Sequence, residues 1–297
     1  MLMLIDAASL WYRAYYGLPS SIKSPAGVRS GAVRGFFDGL AVLSRRYSPT
    51  GMVCCLEGDW RPGWRTALLP EYKSARALPD GSEDTPEGLD EQVAAIEALL
   101  PALGVATAAH PGFEADDVIA TLASRESGPV RVVTGDRDLF QLVDDERDHR
   151  VVYLARGISK AELFDAAAVT AKFGVDPDHY VDYAVLRGDP SDGLPGVKGV
   201  GAKTAVSLVN TFGGVGGIKA AATDDGSDLP ARQRRAILDS GDYLDRALRV
   251  ATVVEDVPVP PVDPALPAGP ADRSRVAELT EQWGIASALG RFGEAIA

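Results

Sequence analysis

Gly112-Phe113-Glu114-Ala115-Asp116-Asp117-Val118 sets three carboxylates directly ahead of an apolar helical stripe made by Val118, Ile119 and Leu122. Glu114 and Asp117 are three apart and share a helix face, with Asp116 about 100° round from Asp117. Acids also favour the positive end of a helix for its dipole alone. The stretch therefore gains its meaning from what lies around it. Upstream, Val105 to Ala108 reads as a short strand; downstream, Val130 to Val133 reads as another, ending in Thr134-Gly135-Asp136-Arg137-Asp138. Further out, Leu2 to Ile5, Met52 to Leu56 and Val151 to Leu154 are apolar runs of strand length. Helical spacing separates them, notably from Ser9 to Tyr16, after an N-cap at Ser30, and from about Glu87 to Leu100. Strands alternating with helices predict an α/β fold with a mainly parallel central sheet. In such sheets ligands gather at the carboxyl ends of the strands, where Asp6, Glu57 and Asp136 all fall.

The chain has 297 residues, 46% hydrophobic and 24% charged, enough for a full core in one large or two smaller domains. The texture predicts a core over residues 1–175, a region of short helices and glycine-rich turns over 176–257, and a proline-rich connector with a last helix (near Arg273 to Trp283) and a short tail over 258–297. Asp6 interrupts the apolar opening and no apolar run reaches membrane length, so a cytoplasmic protein with no membrane partner is expected. Cys54 and Cys55 are adjacent in a strand, which sends them to opposite faces and argues against a disulfide between them. The net charge of -12 does not exclude a nucleic-acid substrate, because the signs are segregated. Bases gather at Arg29, Arg34, Arg45 and Arg46, at Arg61, Arg65, Lys73 and Arg76, and at Lys198 and Lys203.

Asp6, Glu57, Glu114, Asp116, Asp117, Asp136 and Asp138 form one candidate acidic site, joined from the second half by Asp189 and Asp192. Carboxylates packed this densely raise one another's pKa unless cations intervene. The donors are all oxygens, and the three histidines show no zinc-type spacing, so Mg²⁺ or Mn²⁺ is the expected metal. Two such ions about 4 Å apart are a common apparatus for in-line attack on a phosphodiester.

Gly196-Val197-Lys198-Gly199-Val200-Gly201-Ala202-Lys203-Thr204 is not a P-loop, because Ala202 separates the last glycine from Lys203. It suits a helix, a tight glycine hairpin and a second helix from about Ala202. Such a unit can bring backbone N–H groups to a DNA phosphate, or be a plain helix-turn with glycine caps. Trp60 and Trp64 likewise read either as packing or as surfaces for unpaired bases.

In order along the chain, Ile5-Asp6-Ala7-Ala8-Ser9 with Tyr12-Arg13-Ala14, Tyr72-Lys73-Ser74-Ala75-Arg76, Glu114-Ala115-Asp116-Asp117, Thr134 to Asp138 and Gly188-Asp189-Pro190-Ser191-Asp192-Gly193-Leu194-Pro195-Gly196-Val197 resemble the bacterial flap endonuclease family, the 5′-nuclease module found in DNA polymerase I and as free-standing proteins. The resemblance runs to about residue 255 and implies a PIN-like core with a helical arch (about residues 71–100) and a helix-three-turn-helix subdomain. It implies a metal shell of Asp6, Glu114, Asp116, Asp136 and Asp138, with Asp117, Asp189 and Asp192 as further ligands. Lys73 and Arg76, on a helix at the base of the arch, would grip the scissile phosphate, and Tyr72 would help position the nucleotide there. Gly196, Lys198, Gly199, Gly201, Lys203 and Thr204 would hold duplex DNA, often with K⁺, and Arg34 is a further candidate for backbone contact. The implied reaction is hydrolysis near single-strand/duplex junctions of branched, nicked or gapped DNA or RNA/DNA primers, leaving a 5′-phosphate and a 3′-hydroxyl. A stand-alone monomer acting beside a separate DNA polymerase and ligase is expected.

Two departures from the family pattern stand out. Leu56-Glu57-Gly58-Asp59 occupies the place of a usual aspartate, leaving Glu57 and Asp59 as alternative ligands. The arch carries Asp80, Glu83, Asp84, Glu87, Asp90 and Glu91 without an intervening base, a poor surface for threading a single strand. A PIN-type ribonuclease would not need the hairpin or the Tyr72 to Arg76 segment. A haloacid-dehalogenase phosphatase needs a second aspartate where Ala8 stands. A DNA-binding scaffold with weak catalysis is the remaining alternative.

Overall fold

The computed structural model describes residues 1–297. Six strands form one sheet: β1 (Leu2–Asp6), β2 (Gly51–Cys55), β3 (Ala106–Ala108), β4 (Val130–Thr134), β5 (His149–Tyr153) and β6 (Glu162–Phe164). Their order is β3-β2-β1-β4-β5-β6, parallel except for the β5–β6 pair. The five expected strands are present. β6 adds an antiparallel edge that three residues with no clean alternation do not signal. From β1 the chain builds outward through β2 and β3, then crosses to β4 on the other side. The strand order reverses between β1 and β4, and that switch point opens a crevice at their carboxyl ends.

Alternation along each strand sends side chains into two cores. Met3, Ile5, Met52 and Cys54 face α1 (Ala7–Gly17), α2 (Gly31–Tyr47) and, after the short α3 (Gly63–Leu68), α4 (Asp90–Leu103). Leu4, Val53, Cys55 and Val132 face α5 (Ala115–Arg125) on the opposite side. Cys54 and Cys55 are thus buried free thiols on opposite faces.

The helices α6 (Ala166–Phe173), α7 (Tyr180–Arg187), α8 (Ala202–Phe212), α9 (Gly214–Thr223), α10 (Ala231–Asp239) and α11 (Gly241–Ala251) extend the α5-side core without a break. That continuity fixes the glycine hairpin relative to the sheet. After the extended proline-rich connector come α12 (Arg273–Trp283) and α13 (Ala286–Ile296), packed on α4 and α2. The expected short tail is therefore a full helix, with Ala288 and Phe292 in the core.

Helical structure in the arch is confined to its two feet, a 3-10 turn at Ser74–Arg76 and α4 from Asp90; turns and bends span the rest. Lys73, expected on a helix at the base of the arch, lies outside one. It precedes the 3-10 turn with φ 50°, in the left-handed region.

Candidate active site

Asp6 ends β1 and caps α1, accepting the Ser9 backbone N–H at 3.0 Å and the Ser9 hydroxyl. Thr134, at the end of β4, donates to Asp6 at 2.7 Å and accepts the Asp136 N–H at 2.8 Å. Gly135 N–H donates to Ser9 Oγ at 2.8 Å. These bonds lock the ends of the two switch-point strands together and fix the Asp6 carboxylate. Glu57 follows β2 and accepts the Ala115 N–H of α5 at 3.0 Å, while Asp59 accepts the Arg61 N–H at 3.1 Å. A cleft of about 580 Å³ opens here, walled by Asp6, Glu57, Asp59, Asp116 and Asp136, with Arg13, Lys73 and Arg76 as its bases.

Burial raises the pKa of Asp6, Asp116 and Asp138 and takes Asp192 to about 6, and for each of them Asp136 adds a further upward push. Asp136 thus acts on all four carboxyls, and shares the cleft wall with Asp6 and Asp116. Glu57 is pushed up to about 8, first by desolvation and then by Glu114 and Asp6; its side chain opens on the cleft, where water screens part of that push. No three of these acids enclose a common point. The donor set still fits Mg²⁺ or Mn²⁺, because such ions keep several waters and need only one or two carboxylates each.

Asp117 has a different role from the metal ligand expected of it. It is fully buried; its oxygens accept Arg65 Nη1 and Nη2, each at 2.7 Å, and the Val254 N–H at 2.9 Å. The same guanidinium reaches Glu114 at 2.8 Å. Glu114 also accepts the Tyr72 hydroxyl at 2.8 Å and Lys73 Nζ, so it sits beneath the cleft instead of lining it. Tyr72 is 5% exposed, which removes it from direct contact with a nucleotide. Burial works to lower the Lys73 pKa, but Glu114, Tyr72 and Asp192 outweigh it and push the pKa up, so the ammonium stays charged.

Asp189 accepts Arg137 and Arg187, each at 3.2 Å, and Asp192 accepts Arg76 at 3.0 Å. Neither lines the cleft, and nor does Asp138. Arg34 stands apart on α2, 3.9 Å from Asp38, and is not brought to this site.

In the hairpin, Gly196 has φ +73°, and a Cβ there would lie 2.6 Å from the Arg187 carbonyl oxygen, so only glycine fits. Lys198, Gly199, Gly201 and Lys203 are exposed and Thr204 is half-buried. Just upstream, Gly193 (φ +73°) packs so closely on the arch foot that a Cβ would lie 2.1 Å from the Glu71 carbonyl oxygen. Lys73 N–H donates to the Asp192 carbonyl at 3.1 Å beside it. Gly193→Ala is expected to displace the Lys73 segment and destabilise the fold by about 1–3 kcal/mol. Thermal unfolding and cleavage rate measured together test this; an unchanged melting temperature with an unchanged rate would refute the coupling.

Arg65 escapes sequence reasoning. It lies in a basic run, and nothing local marks it as buried; only its partners, 49 and 52 residues away, reveal its role. Ser9 and Thr134 were legible as motif members but not as the clamp on Asp6.

The chain matches two family models in succession: the 5′-3′ exonuclease N-terminal resolvase-like domain over residues 1–174, and the 5′-3′ exonuclease C-terminal SAM fold over residues 175–274. A 5′-3′ exonuclease of Streptomyces coelicolor is 48% identical over 98% of both chains. One from Mycobacterium tuberculosis is 45% identical over 99% of this chain and 97% of its own. DNA polymerase I of Mycobacterium bovis is 37% identical over 94% of this chain but only 30% of its own length. Among solved structures, the T5 D15 protein co-crystallized with metal ions superposes with a TM-score of 0.65 at 17% identity, covering 99% of this chain and 97% of that one. Human GEN1 in complex with Holliday junction DNA gives 0.64 at 17% identity, covering 99% and 71%. At that identity the two structures establish the fold, whereas the sequence matches, spanning both halves, establish kinship: the chain belongs to the 5′-3′ exonuclease family and is a nuclease.

Proposed function

We propose that the protein is a divalent-metal-dependent 5′ nuclease that hydrolyses DNA near single-strand/duplex junctions, leaving a 5′-phosphate and a 3′-hydroxyl. The observation that carries this reading is the switch-point cleft itself, where Asp6, Asp116 and Asp136 share a wall with Lys73 and Arg76. Asp136 with Asp6 or Asp116 would hold one Mg²⁺ or Mn²⁺, and Asp136 with Asp138 or Asp192 a second, water completing each shell. The chemistry such ions would supply there is activation of water and neutralisation of the leaving oxygen. The chain's own groups do the rest. Ser9 and Thr134 aim the Asp6 carboxylate. Lys73 and Arg76 would offer positive charge where negative charge grows on the scissile phosphate. Lys198, Lys203 and the hairpin N–H groups hold the duplex backbone, with K⁺ as an optional companion, and position it without reading sequence.

Glu83, Asp90 and Glu97 line the arch side of the same cleft. Their charge disfavours long threaded strands, so nicked, gapped and short-flap substrates, including RNA/DNA primer junctions, suit the site best. A monomer passing its product to a separate polymerase and ligase fits this chemistry.

End-labelled nicked, gapped and flapped DNA incubated with Mg²⁺, Mn²⁺ or EDTA, alongside single-stranded RNA, tests the proposal. Short 5′ products from DNA junctions in either metal and none in EDTA are expected. Binding without cutting would favour a scaffold, and cutting of RNA alone a ribonuclease. Lys73→Ala is expected to slow single-turnover cleavage about 10²-fold with little change in the metal concentration required; unchanged kinetics would remove Lys73 from the mechanism.

A further inference from the structure

The four tryptophans fall into distinct environments. Trp11 and Trp283 are buried. Trp64 lies against the Arg65 guanidinium, 4.5 Å from the ring centroid, with its indole N–H sealed from solvent. Trp60 differs from all three. It is half-buried, it lines the acidic cleft, and none of the chain's ring–ring or cation–ring contacts involves it.

Its loop is held firmly. Gly58 packs so closely on the β3–α5 connection that a Cβ would lie 1.9 Å from the His110 carbonyl oxygen, and Asp59 N–H donates to the Phe113 carbonyl at 2.9 Å. The Trp60 carbonyl accepts Lys73 Nζ at 3.4 Å. Arg61 donates to the carbonyls of Tyr72 and Pro70 at 2.6 and 2.7 Å. The backbone that carries the indole is therefore held at the ammonium that would meet the scissile phosphate, and both side chains line one cleft. An aromatic ring left without a partner in a cleft walled mainly by charged and polar groups has a hydration cost that a flat ligand relieves. The flat group joined to a phosphate by one sugar is a nucleobase. Tyr72, buried beneath Glu114, is not available for that contact.

We propose that Trp60 is the stacking platform for the unpaired base of the nucleotide whose phosphate lies at Lys73 and Arg76, giving the enzyme a preference for a purine there. This deepens the 5′-nuclease reading and rests on it. Every base can stack on an aromatic side chain, the larger purine face more strongly, and loss of the stack costs about tenfold or more.

The test uses single-turnover cleavage of duplexes whose unpaired 5′ nucleotide carries adenine, thymine or no base. For the wild type, removing the base is expected to slow cleavage about tenfold, with adenine faster than thymine. Trp60→Ala should cut all three substrates at about the same rate, and Trp60→Phe should restore much of the base dependence, which a merely structural role would not do. Quenching of indole emission on mixing with the adenine substrate in EDTA, and its loss in Trp60→Phe, reads the same contact without turnover. A Trp60→Ala enzyme that keeps the wild-type ratio of adenine to abasic rates would overturn the platform while leaving the nuclease reading intact. A wild-type protein that cuts none of the three would overturn both.

Discussion

Asp136→Asn is expected to lower the single-turnover cleavage rate on the order of 10³-fold in Mg²⁺ and Mn²⁺ while leaving the fold and DNA binding in place. The size of the effect follows from its position. Asp136 pushes up the carboxyl pKa of Asp6, Asp116, Asp138 and Asp192, so its charge is felt by all four. Removing its charge takes a donor from both candidate ion positions at once. The backbone around it is held by other groups: its own N–H donates to Thr134, and the Asp138 N–H meets its Oδ1 at 2.9 Å, a contact that an asparagine oxygen can also accept. Without metal the variant should be at least as stable as the wild type, because repulsion among the remaining acids falls. Added Mg²⁺ or Mn²⁺ should raise the wild-type melting temperature, equivalent to about 2.7 kcal/mol at a hundred times the Kd, and raise that of the variant much less. A variant that cuts at the normal rate would show that the reactive centre lies elsewhere.

Arg65→Ala is expected to be the most destabilising single substitution, costing about 3–5 kcal/mol. Arg65 is 3% exposed and bridges Glu114 and Asp117, themselves 2% and 0% exposed. Its Nε also donates to the Val250 carbonyl at 2.9 Å, tying α11 of the second half to α5 of the first. Truncation leaves the Asp117 carboxylate in the interior without a counter-ion and Glu114 with Lys73 alone. Arg65→Lys should recover little, since a single ammonium cannot reproduce a fork that bonds both Asp117 oxygens. The readout is the urea midpoint together with the melting temperature. A loss below about 1 kcal/mol would mean that water reaches these acids and that the network is not what holds the two halves together. Because Glu114 also anchors Lys73, cleavage should fall along with stability, whereas Asp136→Asn separates the two.

The sequence by itself determined the layers and the location of the site. The short apolar runs Leu2 to Ile5 and Met52 to Leu56 and the helical stripe after Asp117 are local properties, and local properties survive without knowledge of the partner. They predicted the parallel sheet, the opposite facing of Cys54 and Cys55, the acids at strand ends and the glycine hairpin. β6 and α13 escaped, the first because three residues carry no measurable period, the second because its glycines hid an amphipathic face. Only the tertiary structure decided how the acids divide their work. Asp117 is neutralised by Arg65, Asp189 is held by Arg137 and Arg187, and Asp136 is left facing its neighbours with no base bonded to it. It also separated Trp60, open to the cleft, from Trp64, packed on Arg65. The physical reason is that a charge or a ring acquires its function from what lies within a few ångströms in space, and residues dozens of positions apart in the chain reach that distance only once the sheet and its helices have packed.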